Sequence, residues 1–408
     1  MARVSPWYIY KFKAYTKERW VGQNLLDVLA GEFKRRTRLY FEKAVEAGSI
    51  LVNNEKVPKE YALRHGDLIT HTTHRHEPPI PTERIPVVFQ DDRIVVVDKP
   101  AGIPCHPNSS YNKNTLSEIV KRQRSLEYVS VQNRLDKQTS GVVILAKTPE
   151  AAVEYHKKME ERAGTKIYLC KVQGEFPEEE VVVSLPLVIS RKTCTTEIHD
   201  IEGLQGKPST TIFKRVYSAG GESVLACGLV TGRTHQIRVH LQGIGYPIVD
   251  DMLYRRPYLR PDALLEEVQG KTPERVHIHE GVYREMVRKQ GVCLTPEYAG
   301  SLLSAGECRT DDFVDDVELL QKIETADVGR FVQESCMHCR NPETLDVLPK
   351  FLTLSLHAWI YSIGGKTFKT ELPEWCTEGV DESACISAME QAKEEVSEQV
   401  NSSEQVNK

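Results

Sequence analysis

Between residues 85 and 230 the chain breaks into short apolar runs of strand length, and their spacing constrains its fold more than any other feature. Val87-Val88-Phe89, the turn Gln90-Asp91-Asp92-Arg93 and Ile94-Val95-Val96-Val97 come first. Val142-Val143-Ile144-Leu145-Ala146 follows, then a helical pattern over about 149–162 and strand patterns at 166–172, 210–217 and 223–230. Runs this short, at hairpin spacing, pair largely with their sequence neighbours. A mixed, mainly antiparallel sheet of an α+β protein is therefore expected, rather than a doubly wound parallel one.

The 408 residues are 40% hydrophobic and 27% charged, an ordinary globular composition with room for two or three domains. No run approaches the ~20 apolar residues of a membrane helix, so no membrane partner is expected. Ten cysteines without framework spacing suit a reducing compartment, which makes cytoplasm or nucleus the default. The first 20 residues set Arg3, Lys11, Lys13, Lys17 and Arg19 against Glu18 alone, which also fits a mitochondrial presequence. Trp7, Tyr8 and Tyr10 there look instead like the start of a folded element.

The formal net charge of −5 divides unevenly. Residues 376–408 carry eight acids and two lysines, and residues 1–80 hold 14 basic against nine acidic residues. A basic front end fits a polyanionic partner. Residues 1–80 read as one unit, in which Lys34, Arg35, Arg36 and Arg38 lead into a helical pattern ended by Gly48. A hairpin over Ile50-Leu51-Val52, Asn53-Asn54 and Lys56-Val57 follows, then Gly66-Asp67 and a strand. Basic helix, hairpin and Gly-Asp turn resemble the small alpha-L RNA-binding fold, and the four basic residues are candidates for phosphate contacts. Pro78, Pro79 and Pro81 mark a linker. Residues 81–375 form the second domain, with a poorly periodic insertion at about 255–350. Residues 376–408 read as a disordered acidic tail that contains one short repeat, Ser-Glu-Gln-Val-Asn at 397–401 and 403–407.

Asn133-Arg134-Leu135-Asp136-Lys137-Gln138-Thr139-Ser140-Gly141 places a carboxylate near an arginine in a turn at the edge of an apolar strand. A buried strand is a rigid platform, and an acid beside a cation stays ionised, which suits a nucleophile. Taken alone, an Arg-x-Asp turn is as well explained by a plain ion pair. Three more segments accompany it. Lys99-Pro100-Ala101-Gly102-Ile103-Pro104 is a proline- and glycine-fixed loop. Lys166-Ile167-Tyr168 opens a strand with Lys166 and Tyr168 on one face. Gly232-Arg233-Thr234-His235-Gln236-Ile237-Arg238 begins a short helix with Thr234 as a plausible N-cap and Ile237 and Leu241 facing inward.

In this order and spacing the segments resemble the RluA family of RNA pseudouridine synthases over residues 85–254, with Leu356-His357-Ala358 and the Cys-x-x-Cys similar to its eukaryotic tRNA-modifying branch. The resemblance implies a mixed sheet of the pseudouridine synthase type and an RNA substrate, with tRNA ahead of rRNA or mRNA. Asp136 would be the catalytic nucleophile. Arg134 would help extrude the uridine, Tyr168 would stack on it, and Arg233 would pair with Asp136. No cofactor is implied, since isomerisation needs neither a redox group nor an external donor, and a monomer is expected. Two departures stand out: Asn133 replaces a usual histidine, and Asp250 replaces a usual glycine.

Rival readings are a noncatalytic RNA-binding protein, which Asn133 would suit, and an unrelated hydrolase, which leaves the Tyr168 and Arg233 segments unexplained. His235 and His240 lack a metal-site pattern and read as packing or phosphate contacts. Cys336-Met337-His338-Cys339 needs two further ligands, for which His277, His279 and Cys308 are the candidates. Free thiols, and no metal, are the expectation there.

Overall fold

The computed structural model describes residues 2–33, 36–82, 84–108, 110–160, 164–189, 196–198, 206–268, 275–290, 317–323, 325–336, 339, 353–376 and 379–406. The chain forms two compact units, Met1–Ile80 with Arg309–Pro349, and Pro81–Cys308 with Lys350–Lys408. Among the described residues no helix is long and apolar enough to cross a membrane.

In the first unit, β1 (Tyr8–Tyr15), α1 (Leu25–Glu32), α2 (Arg38–Ala47), β2 (Ile50–Val52) and β3 (Leu68–Arg75) follow one another. Asn24 caps α1 by accepting from the Leu26 and Asp27 amides, and Thr37 caps α2 through the Tyr40 amide. Gly48 ends α2 at φ 80°, the left-handed conformation that the helix-ending glycine suggested. The expected hairpin forms only in part. Asn53 and Asn54 make a tight turn with positive φ, but β2 pairs with β3 rather than with residues 56–57. Leu320, Ile323, Phe331 and Val332, from the region read as an insertion, join this unit's core.

The second unit is built on one eleven-stranded sheet. Its strands include β4 (Val87–Gln90), β5 (Ile94–Lys99), β6 (Ser140–Ala146), β7 (Lys166–Gln173) and β8 (Glu180–Ser184). β9 (Thr210–Ala219), β10 (Glu222–Leu229), β11 (Arg275–His279), β12 (Leu356–Ile363) and β13 (Lys366–Lys369) follow, and the two-residue strand Ser130–Val131 beside β6 is the eleventh. The main path runs β11-β8-β9-β10-β7-β12-β6-β5-β4, with β13 beside β12. Only β8–β11 and β6–β12 are parallel along this path, so the mixed, mainly antiparallel α+β sheet is as expected. Helix α3 (Pro149–Glu160) joins β6 to β7.

Period-two alternation places the two faces of the sheet against different partners. Cys170, Val172, Leu225 and Cys227 pack with Ile237 and Leu241 of helix α4 (Gln236–Gly243), as their spacing suggested. Ile167, Leu169, Val224 and Ala226 face the other way, toward Cys385, Met389, Ala392 and Val396. These last four lie on helix α5 (Glu382–Val406), so the supposed disordered tail is helical. Its apolar residues recur at helical intervals, and burial of that stripe outweighs the acidic composition that masked it. The insertion also needs correction. Residues 275–279 extend the sheet, and Tyr258, Leu264, Val276, Ile278 and Tyr283 are buried with it.

Gly141 lies where β6 meets β12, paired with Ala358. Its φ is +115°, and a Cβ there would sit 2.1 Å from the Ala358 carbonyl oxygen. Gly141→Ala is expected to destabilise the second unit by about 2–3 kcal/mol, through forced backbone separation and a disfavoured φ. Urea denaturation measures this; an unchanged midpoint would show that the strands separate freely.

Candidate active site

Residues 133–139 form a turn outside β6, and three neighbouring segments immobilise it. Lys99, fully buried, donates from Nζ to the carbonyls of Pro100 (2.9 Å), Ile103 (2.8 Å) and Lys137 (3.1 Å). Burial pushes its pKa down to about 8, with Cys105 and Asp136 opposing that fall. The Gly102 amide also donates to Lys137 O, at 2.7 Å, and the Leu135 amide meets Cys105 Sγ at 3.3 Å. The proline-glycine loop is thus a cradle for the turn. From the third side, Ser140 Oγ shares a 2.8 Å hydrogen bond with Nδ1 of buried His357, whose Nε2 meets Thr370 Oγ1 at 2.6 Å.

Asp136 projects into a cavity of about 380 Å³ lined in part by Pro104, His106, Arg134, His235, Arg238 and Leu253. Its partner is Arg238 on α4, not Arg233. Arg238 Nη1 donates to Asp136 Oδ2 at 3.0 Å, while Nε and Nη2 grip Asp251 at 2.7 and 2.9 Å. Asp251, whose side chain is fully buried, also accepts at Oδ1 from the Leu253 and Tyr254 amides. The Arg238 guanidinium stands 4.8 Å from the Tyr254 ring centroid. Arg238 is therefore fixed from behind before it meets Asp136.

Arg233 lies one helical turn earlier, just outside α4. Its Nε donates to Pro208 O at 3.2 Å, and its amide donates to Gln236 Oε1 at 2.9 Å. It shares the lining of a smaller cavity with Asp136, Tyr168 and Leu356 but does not hold the carboxylate. The N-cap also differs from expectation: it is His235, with φ 55°, and not Thr234. Gln236 ties down the loop before the helix by accepting from Thr231 Oγ1 and the Arg233 amide, and its Nε2 donates to Thr210 O.

Burial pushes the Asp136 pKa up, but His235, Arg238 and the more distant Lys99 outweigh it and hold the carboxyl below its ordinary 3.8. His235 Nε2 is 3.6 Å from Asp136 Oδ2, and its Nδ1 bonds Tyr254 Oη at 2.7 Å. Burial depresses the His235 pKa in turn, so at neutral pH the imidazole is largely uncharged and Arg238 supplies the counter-charge. Burial raises the Tyr168 pKa strongly, which keeps its phenol protonated. The arrangement offers an ionised, oriented carboxylate at a cavity mouth, an aromatic ring close by, and exposed Arg134 on the rim.

Residues 93–243, which include Asp136, Tyr168, Arg233 and Arg238, match the family described as RNA pseudouridylate synthase. The chain is 33% identical over 393 residues to the tRNA pseudouridine(32) synthase, mitochondrial, of Saccharomyces cerevisiae, covering 92% of this chain and 75% of that protein. The chain belongs to the RluA family of RNA pseudouridine synthases. It is also 33% identical over 419 residues to the tRNA pseudouridine(31) synthase of the same yeast, covering 92% and 95% of the two chains. The pseudouridylate synthase RPUSD2 of Mus musculus is 34% identical over 400 residues, covering 92% and 71%. The protein is therefore an isomerase that forms pseudouridine in RNA.

In this pseudouridine synthase Asn133 is a buried backbone clamp. Its Nδ2 donates to Val142 O at 2.9 Å, and its Oδ1 accepts from the Ile144 amide at 2.8 Å. Asn133→Ala is expected to cost about 2 kcal/mol, because two strand groups lose buried partners. A fall in urea midpoint larger than the loss of kcat would mark this structural role; loss of activity at unchanged stability would assign it to substrate contact. Asp250, with φ 64°, keeps the left-handed turn that a glycine would adopt.

His240 is fully buried and bonds Ser209 Oγ, Thr211 Oγ1 and Leu185 O, so it is a packing histidine. Lys34 and Arg35 lie outside the described residues. Arg36 stands 4.4 Å from the Tyr40 ring centroid, and Arg38 pairs with Asp27 and Glu42, all within the first unit. His277 and His279 lie on β11 of the second unit, and Cys308 lies outside the described residues. The sequence reading missed Arg238, Asp251 and Lys99. Only the charged arginine inside a helix with an inward-facing stripe hinted at the first.

Proposed function

We propose that this enzyme isomerises uridines of tRNA, with Asp136 as the nucleophile. The observation that carries the reading is the Arg238 clamp, which holds Asp136 ionised at the cavity mouth. The carboxylate adds covalently to the uridine or its ribose, the N1–C1′ bond breaks, the base turns, and a C5–C1′ bond forms. The C5 proton leaves to solvent, N1 takes up a proton in its place and the carboxylate is released, so atoms balance and no electrons are gained or lost. Arg134, exposed on the rim, takes the space of the extruded base in this reading, and Tyr168 serves as its stacking surface, a contact worth about 1–3 kcal/mol. Arg36 and Arg38 enter as candidate phosphate contacts of the first unit, with Arg38 exchanging its carboxylate partners for phosphate.

The choice of tRNA is supported by the two yeast relatives, whose names specify tRNA pseudouridine synthases. It also agrees with the ease of extruding unstacked loop bases. The test is release of tritium from tRNA and rRNA labelled at C5 of uridine. Wild type is expected to release tritium from tRNA well ahead of rRNA, and Asp136→Ala to release none. Equal release from rRNA would overturn the substrate assignment, and turnover by Asp136→Ala would overturn the nucleophile.

A further inference from the structure

The first unit brings together four metal-ligating side chains that the reaction does not use. His74 lies in β3 and His76 just beyond it; Cys336 and Cys339 follow the helix Val328–Glu334. His76 Nε2 is 3.2 Å from His74 Nδ1 and 3.2 Å from Cys339 Sγ, while Cys339 Sγ is 3.4 Å from His74 Nδ1. All four ligand atoms lie within 4.8 Å of one another. A tetrahedral ion with ligand bonds of about 2.0–2.3 Å needs ligand separations of roughly 3.3–3.8 Å, and three of the edges here are close to that.

We propose that His74, His76, Cys336 and Cys339 form a structural zinc site. Two thiolates with two imidazoles are a borderline-soft set that suits Zn²⁺ and is poor for the oxygen-seeking Mg²⁺ and Ca²⁺. Together the two thiolates balance the ion's charge. Four protein ligands leave no coordination place for water, so the role is structural and not hydrolytic. The His-x-His pair comes from alternate positions at a strand end, which puts both rings on one side. The Cys-x-x-Cys pair comes from a separate segment, with Cys336 262 positions beyond His74. Binding would therefore staple the segment 317–339 to β3 across a very long loop, where a cross-link limits the unfolded chain most.

Residues 309–349 belong with the first unit rather than with the insertion's earlier half, as the pairing requires. Phe331 and Val332 are buried in that unit's core one turn before Cys336, so the apolar contacts pre-position the thiols. The inference does not depend on the role of Asp136, which lies in the other unit.

The test is elemental analysis of the full chain purified under reducing conditions without chelator, together with Co²⁺ substitution. One zinc per chain is expected. The cobalt form should show thiolate-to-metal charge transfer in the near ultraviolet and tetrahedral d–d bands in the visible. Cys339→Ser replaces an exposed side chain, so it should fold, and should lose most of the zinc and weaken the charge-transfer band. Removing zinc from the wild type with a strong chelator should lower its melting temperature, and added Zn²⁺ should restore it. Wild type that carries zinc in fewer than about one chain in ten, and gives no thiolate–cobalt band, would overturn the site. So would a Cys336–Cys339 disulfide as the purified state, iron in place of zinc, or a Cys339→Ser variant with unchanged zinc content.

Discussion

Asp136→Asn is expected to lower kcat by at least about 10⁴-fold while leaving the fold intact, because under the proposed mechanism it removes the covalent route altogether. Asparagine keeps the shape of the side chain and can still accept from Arg238 through its amide oxygen. What it lacks is the negative charge and the nucleophilic oxygen. Single-turnover tritium release measures the loss, and tRNA binding should change by less than about tenfold, since the phosphate contacts remain. A residual rate within about 100-fold of wild type would show that Asp136 is not the nucleophile.

Arg238→Met is expected to destabilise the second unit by about 3–5 kcal/mol, because it strands the fully buried carboxylate of Asp251. Pairing it with Asp251→Asn should recover a large part of that loss, and a double-mutant cycle on the urea midpoints measures the coupling. Among the described residues the Arg233 side chain hydrogen-bonds Pro208 O, and Arg233→Ala should change stability by less than about 0.5 kcal/mol. The pH dependence separates the two arginines independently. With Arg238 present the Asp136 pKa is held below 3.8, so the acid limb of kcat/KM lies below that pH. Without Arg238 the limb moves up, with His235 and Lys99 left to oppose burial. The linked stability has the matching sign: it is present above the unfolded aspartate pKa and is lost as pH falls through the folded value. An acid limb that moves in Arg233→Ala but not in Arg238→Met would return the pairing role to Arg233.

The two arginines show where reading a motif stops. Arg233 and Arg238 both stand in the segment 232–238, and nothing along the chain ranks one above the other as the partner of Asp136. The ranking is made by the direction of α4 and by Asp251, whose carboxylate grips the back of Arg238. Asn133 shows the same limit. A polar residue beside a catalytic turn reads as a substrate contact until its amide is found clamping Val142 and Ile144.

Much was legible without coordinates. The hairpin-spaced apolar runs are enough for a mixed, mainly antiparallel sheet, because strand pairing between neighbours depends on local turns and period-two burial. The Asp136 turn and the Tyr168 strand could likewise be placed on their elements, and the start of α4 to within one residue. The C-terminal helix was obscured because charge dominates its composition, although Cys385, Met389, Ala392 and Val396 form a buried stripe.

Contacts between distant segments were decided by tertiary structure alone. Residues 309–349 join residues 1–80, and His74 and His76 meet Cys336 and Cys339, although the nearer candidates were His277, His279 and Cys308. Local sequence encodes which element forms and which face it buries. The choice of partner across hundreds of residues belongs to the packing of whole elements, which no spacing along the chain records.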